Sequence, residues 1–237
     1  MDWYFVGLDL GQSRDHTAIA AVERAELTGE WDPMAFAWRK VAALRLRYLE
    51  RMPLGVLYPQ MVARVRQVLQ HPGLAGRCTL VVDSTGVGRP VVDLLYEAKL
   101  GCSITAVTIT GGEGETAAGG YHGVPKRDLI IGLQVLLQQR KLQIAADLEH
   151  GPLLVKEMSE MQVRVTPAGK EQYGTWREGQ HDDLTFAVAL ACWGAGKAYG
   201  KAVAGEVGWW QNLHQREWEK GFGEEVGRVQ ERQQRLL

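Results

Sequence analysis

The sequence contains only three cysteines, Cys78, Cys102 and Cys192, widely separated and without a CxxC pair. A disulfide framework and a thiolate zinc site therefore lack support, and reduced, buried thiols are expected. No apolar run approaches the roughly 20 residues that a membrane-spanning helix requires, so no membrane partner is expected. Basic residues are missing from the N-terminus, where Asp2 stands just before an apolar segment. A secretory leader needs the opposite charge, so the mature chain is expected to start here, in the cytoplasm. There is no GxxxxGK[ST] phosphate loop and no internal repeat. Charge of one sign is not in excess either, since the formal net charge is −1. That balance argues against an indiscriminate polyanion binder but leaves open how the charges are distributed.

What is present fits one soluble domain. The chain has 237 residues and 46% hydrophobic content, enough for a sizeable core. Apolar runs predict strands over 3–10 and 17–22, joined as a hairpin by a polar turn holding Asp15 and His16. A third strand is expected over 35–46. Met61, Val62, Val65, Val68 and Leu69 recur at helical spacing until His71-Pro72-Gly73 ends the run. A short apolar strand over 78–82, a helix opening at Pro90 and a strand over 103–109 follow. That succession implies parallel pairing through a crossover, and the fold class is α/β.

Residues 111–120 carry five glycines and read as a mobile loop. A helix starts at Lys126, with Leu129, Ile130, Leu133, Leu136 and Leu137 as its apolar stripe, and another is expected over 148–158. Strands over 161–165 and 172–176 flank a hairpin turn. Asp182 and Asp183 open an alanine-rich helix over 184–193. Beyond residue 196 the chain turns polar, with Trp209, Trp210 and Trp218 among charged neighbours. The expected division is a domain over 1–196 and a helical or flexible appendage over 197–237. Between Trp38 and Thr79 lie Arg39, Lys40, Arg45, Arg47, Arg51, Arg64, Arg66 and Arg77 against a single acid, Glu50. This stretch is either a phosphate-facing surface or the solvated faces of a strand and a helix.

Several acids stand where an acid is awkward for folding. Asp9 interrupts an apolar strand, and a buried carboxylate is costly without hydrogen bonds or a cation. Asp83 ends a central strand, the edge where ligand sites of α/β sheets gather. Asp182 and Asp183 sit at a helix N-terminus, which favours negative charge. Each also has an ordinary role: Asp182 and Asp183 as caps, Asp15 as a turn former, Asp83 as a loop cap, Asp9 as a satisfied interior acid. Brought together, these acids would repel one another unless divalent cations joined them, and oxygen-only donors point to Mg²⁺ or Mn²⁺.

The ordered set of segments is similar to a known family. Gly7-Leu8-Asp9-Leu10-Gly11 with Asp15 and Thr17-Ala18-Ile19-Ala20, then Val81-Val82-Asp83-Ser84-Thr85-Gly86-Val87-Gly88, then Val124-Pro125-Lys126-Arg127-Asp128-Leu129, then His181-Asp182-Asp183-Leu184-Thr185-Phe186-Ala187 resemble the nuclease domain of tailed-phage terminase large subunits. The similarity runs from about Trp3 to Trp193. It implies a ribonuclease H-like mixed sheet flanked by helices, with an added hairpin and a C-terminal helical appendage. It also implies two Mg²⁺ or Mn²⁺ ions and cleavage of double-stranded DNA at the start and end of genome packaging.

By that resemblance Asp9, Asp83 and one of Asp182 or Asp183 form the core triad, and Asp15 is an auxiliary ligand; helical spacing favours Asp183, four residues before Ala187 on the apolar stripe. Lys126, Arg127, Arg164, Lys170 and Arg177 are candidates for DNA contact, with surface solubility as their ordinary role. His181 either serves a leaving group or phosphate, or is simply a polar residue before a helix. An ATPase motor, a small terminase subunit and a portal are the partners the resemblance implies, in a host cell cytoplasm.

The departure from the family is the missing motor, since there is neither a phosphate loop nor room for one before Asp9. Rival readings are a Holliday-junction resolvase-like nuclease, a non-catalytic DNA-binding remnant, and a sugar-kinase or actin-like ATPase. The last rests on Asp9-Leu10-Gly11 as a phosphate-binding opening, and the short chain and late Asp-Asp helix count against it.

Overall fold

In the computed structural model the residues described are 3–11, 15–86, 89–165, 171–174 and 181–202. The chain divides into two compact units, Met1–Ala195 and Gly196–Leu237. The appendage expected over 197–237 lies almost wholly outside the described residues. Strands β1 (Trp3–Asp9), β2 (Ala18–Asp32) and β3 (Ala37–Arg51) come first, followed by helix α1 (Tyr58–Leu69). Then come β4 (Cys78–Asp83), α2 (Arg89–Glu97), β5 (Ser103–Thr110), β6 (Thr116–Ala118), β7 (Tyr121–Pro125) and α3 (Lys126–Gln138). The remainder is β8 (Leu142–Ile144), α4 (Gly151–Glu160), β9 (Gln162–Val165), β10 (Glu171–Gly174) and α5 (Asp183–Ala202).

Eight strands form one sheet in the order β6-β7-β5-β4-β1-β2-β3-β8, and β9 and β10 form a separate hairpin. β1, β2 and β3 run as an antiparallel meander, while β4, β5 and β7 are parallel to β1 or to one another in turn. This is the mixed, helix-flanked ribonuclease H-like sheet that the sequence predicts.

The two-residue period of a strand sorts its side chains between faces. Val6 and Leu8 of β1, with Leu80 and Val82 of β4, join a core completed by Met61, Val65 and Leu69 of α1 and Val91 and Leu95 of α2. The alternate residues meet α5. Gly7 makes that approach possible, because a Cβ there would lie 1.9 Å from the carbonyl oxygen of Ala187. Gly194 does the same from the helix side, where a Cβ would lie 2.6 Å from Val81. Leu184 to Ala195 include ten apolar residues that are all but inaccessible, which explains a helix apolar all round rather than striped. No helix among the described residues is long and apolar enough to cross a membrane.

Four expectations change. β2 and β3 extend well past 17–22 and 35–46 into a long hairpin whose outer half alternates or lies exposed. Burial does not sustain that extension, so hydrophobic patterning alone underestimates it. The glycine-rich 111–120 segment contains β6, paired with β7, because Gly123 lets Thr116 come within 2.4 Å of where a Cβ would stand. β8, too short for a periodic signal, pairs in parallel with β3 at Leu44 to Leu46. The helix expected over 148–158 begins at Gly151 and ends at Glu160.

Candidate active site

Register brings the acids together before any side-chain contact is considered. β1 and β4 pair in parallel with Gly7 opposite Val81 and Leu8 opposite Val82. One step further along, Asp9 and Asp83 stand side by side, on the face that Gly7 and Val81 present to α5. On the other side Asp9 pairs with Ala18, and Ala18 with Arg51 at the end of β3. A single row across four strands thus reads Asp83, Asp9, Ala18, Arg51, with the small Ala18 leaving room above it. Helix α5 opens over that row, since Ala187, one turn after Asp183, rests on Gly7.

Asp83 is buried, and its Oδ1 accepts the Thr85 backbone N–H at 2.8 Å. Ser84 pins the loop by donating to the Val107 carbonyl at 3.0 Å. The Asp9 carboxyl is held well above its usual range, first by desolvation, then by repulsion from Asp83, Asp183 and Asp182, with Lys126 opposing. Asp83 is also raised by burial, against hydrogen bonding from Thr85 and the charge of Lys126. Among the described residues neither Asp9 nor Asp83 makes an ion pair.

The helix-borne acids are compensated individually. Asp183 is 5% exposed, and its Oδ2 lies 2.9 Å from Nη2 of Arg51 and 3.8 Å from Nδ1 of His181. Burial nonetheless leaves its carboxyl raised, opposed by Arg51 and His181. Asp182 is more exposed and lies 3.4 Å from the Lys126 ammonium, which also sits 4.5 Å above the Phe186 ring. The Asp182 carbonyl accepts the Phe186 N–H at 2.9 Å, so its backbone starts the helix. His181 packs edge-on against His16 at 5.0 Å, and Nδ1 of His16 lies 2.8 Å from the Met52 carbonyl.

The structure thus gathers Asp9, Asp83, Asp182 and Asp183 into one cluster. Asp15 is exposed in the turn. Arg127 approaches Asp128 at 3.4 Å and the Glu113 carbonyl at 3.3 Å, and Arg164 is exposed on β9. Lys170 and Arg177 lie outside the described residues.

Sequence reasoning missed Arg51 as a partner of the cluster, His16 beside His181, and Glu157 of α4. The register row is the signal that finds Arg51. Glu157 is 3% exposed, accepts the Thr185 N–H at 3.1 Å, and is pushed up to about 7, chiefly by burial. Other arginines of the basic stretch face partners within the chain: Arg39 with Asp32, Arg47 with Glu23, Arg64 with Glu50, Arg66 with the Ala98 carbonyl.

The donor set is all carboxylate, buried at Asp83 and Asp183 and half-buried at Asp9 and Asp182, and short of positive charge on its sheet side. That chemistry fits a hard divalent cation. Among the described residues no group of three or more His, Cys, Asp or Glu side chains is arranged to hold a metal ion as it stands. Asp183 is turned to Arg51 instead.

No family model matches the chain, and no curated protein matches it. The sheet order and the packing of α5 across it give a ribonuclease H-like α/β fold. Among solved structures the fold is that of phage large terminase nuclease domains. The large terminase nuclease of thermophilic phage G20c with bound magnesium is 20% identical, with TM-score 0.55, over 81% of this chain and 80% of that one. The manganese- and beta-thujaplicinol-containing K428A mutant nuclease domain of the large terminase subunit gp2 of bacterial virus Sf6 is 15% identical, with TM-score 0.54, over 80% of this chain and 87% of that one. The large terminase nuclease domain of Thermus phage P74-26 is 19% identical, with TM-score 0.51, over 80% of this chain and 78% of that one.

Proposed function

We propose that this chain is a divalent-metal-dependent endonuclease that hydrolyses phosphodiester bonds of double-stranded DNA, as in the cutting step of phage genome packaging. The observation that carries the reading is the gathering of Asp9, Asp83, Asp182 and Asp183 from two strand ends and one helix start. The likeness in fold to terminase nucleases, one of them with bound magnesium, supports it. Asp9, Asp83 and Asp183 would hold two Mg²⁺ or Mn²⁺ ions, with Asp182 in an outer position and Asp15 as an auxiliary ligand. Bound there, the ions supply an activated water and charge stabilisation for the leaving oxygen.

The chain's own residues do the rest. Thr85 and Ser84 fix the Asp83 carboxyl in place, and Lys126 offsets part of the negative charge that would otherwise repel a phosphate. Lys126, Arg127 and Arg164, with Lys170 and Arg177, are the proposed DNA contacts, backbone-directed and so largely indifferent to sequence. An ATPase motor, a small terminase subunit and a portal are proposed partners in the host cytoplasm. Plasmid cleavage with Mg²⁺ or Mn²⁺, lost in Asp83→Asn, tests the reading. Failure of the wild-type chain to cut with either ion leaves a DNA-binding remnant. Cutting confined to four-way junctions makes it resolvase-like.

A further inference from the structure

Arg51 and Glu157 are buried charged groups that the proposed chemistry does not use. The Arg51 side chain is 12% exposed and that of Glu157 is 3% exposed. The guanidinium is committed to Asp183, with Nη2 at 2.9 Å. Its Nη1 faces Oε1 of Glu157 at 3.7 Å, close enough for attraction and too far for a hydrogen bond. Among the described residues that Oε1 has no hydrogen-bond partner, and neither has Nε of Arg51. The other Glu157 oxygen is anchored, accepting from the Thr185 N–H at 3.1 Å, two residues beyond Asp183. Glu157 is therefore a fixed carboxylate with one oxygen aimed at a guanidinium that is bound elsewhere.

We propose that Arg51 is a resident counter-ion of Asp183 that Glu157 receives when Asp183 turns to a metal, which makes Glu157 a positioning residue for metal loading. The inference rests on the metal-site reading given above. Arg51 cannot lose its proton. If Asp183 left it with no alternative, a bare cation would remain in a buried place, and that opposes metal binding directly. Movement of about 1 Å brings Nη1 to the roughly 2.8 Å of a charge-assisted hydrogen bond with Oε1. A purely structural Glu157 would need only the oxygen that caps α5. Glutamine supplies that oxygen without the charge, so Glu157→Gln separates the two roles.

The test is calorimetric Mn²⁺ binding to the full chain as wild type, Glu157→Gln, Arg51→Met and the double variant, with metal-free melting temperatures for each. Glu157→Gln is expected to weaken Mn²⁺ binding about tenfold, within the range for groups that act behind a metal ligand. Arg51→Met, having lost the competitor, is expected to bind several-fold tighter. The double variant is expected to match Arg51→Met, because Glu157 has nothing left to receive. Unchanged binding in Glu157→Gln, or a tenfold loss that persists without Arg51, overturns the proposal while leaving the metal site in place. Wild-type protein that binds no Mn²⁺ overturns the metal-site reading itself. If Glu157→Gln does not fold, Arg51→Met decides alone: weaker binding than wild type overturns the proposal.

Discussion

Asp9 and Asp83 stand at neighbouring strand ends with no ion pair among the described residues, whereas Asp182 and Asp183 open a helix with a cation apiece. The difference follows from where each pair sits. Strand ends in the middle of a sheet are surrounded by other strands, and the row beside them offers only Ala18 before Arg51 is reached. A helix start projects above the sheet, where long side chains from β3 and α3 can reach it. The sheet side is thus the half of the cluster that gains most from an added divalent charge, and the helix side is the half that must first release a partner.

The sharpest way to break this comparison is to neutralise the sheet side. Asp9→Asn or Asp83→Asn is expected to abolish plasmid cleavage in Mg²⁺ or Mn²⁺. Each is also expected to stabilise the metal-free fold by on the order of 1 kcal/mol, because a repelled, desolvated carboxylate is removed. Cleavage at the wild-type rate in either variant would remove these residues from the site. A melting temperature that falls would mean that the pair is a structural hydrogen bond rather than a strained one.

The second test separates the two halves physically. Gly7→Ala places a methyl group 1.9 Å from the Ala187 carbonyl, a backbone atom that cannot rotate away. α5 must lift from β1, carrying Asp183 from Asp9. A loss of about 3 kcal/mol is expected in urea denaturation, with metal affinity falling alongside. Full stability would mean that α5 does not rest on β1 at this point.

Much of this architecture is legible in the sequence, for reasons that also set the limit. Apolar runs that end in an acid mark β1 and β4, and the alanines of α5 announce close packing. The acids Asp9, Asp83 and Asp183 follow from those local patterns. Register does not, since nothing near Arg51 in the chain says that β3 ends in line with Asp9. Read locally, Arg51 belongs to a basic surface, while in the fold it is 12% exposed and bound to Asp183. Glu157 is hidden for the same reason: it lies 26 residues before Asp183, on a helix tied to the site through a Thr185 hydrogen bond and the Arg51 guanidinium. The hairpin of β6 and β7 was obscured by its glycines, which read as a loop when only backbone entropy is considered.

A third prediction concerns pH. Carboxyls whose pKa is raised in the fold keep protons that the unfolded chain has already released. Between the unfolded and folded values the native state therefore holds more protons, and stability falls as pH rises. Asp9, Asp83 and Asp183 start from 3.8 and are all raised, and Glu157 goes from 4.5 to about 7. Metal-free protein is expected to lose melting temperature steadily from about pH 4 to pH 7. Saturating Mn²⁺ should flatten that decline, and Glu157→Gln should flatten its upper part. A melting temperature that rises across this range would contradict the raised values.

The smallest expected effect distinguishes the two helix acids from one another. Successive residues at a helix start point about 100° apart, so Asp182 and Asp183 cannot both face the sheet. Asp183 lies one turn before Ala187, whose carbonyl touches Gly7, and it is 5% exposed. The Asp182 side chain is 27% exposed, is held by Lys126, and belongs to the residue whose carbonyl accepts the first helical hydrogen bond. Asp183 is therefore proposed as the direct ligand, with Asp182 a neighbour that tunes the charge around it. Asp182→Asn is expected to lower cleavage by about 10- to 100-fold, the range for groups behind a metal ligand, and Asp183→Asn by more. Both should be measured at matched melting temperature, because Asp183→Asn also strips Arg51 of its partner. The comparison is sharpened by titrating Mn²⁺: raising the metal concentration should restore much of the Asp182→Asn activity and little of the Asp183→Asn activity. The reverse order at saturating metal would mean that α5 turns Asp182, not Asp183, toward the strand ends when metal is bound.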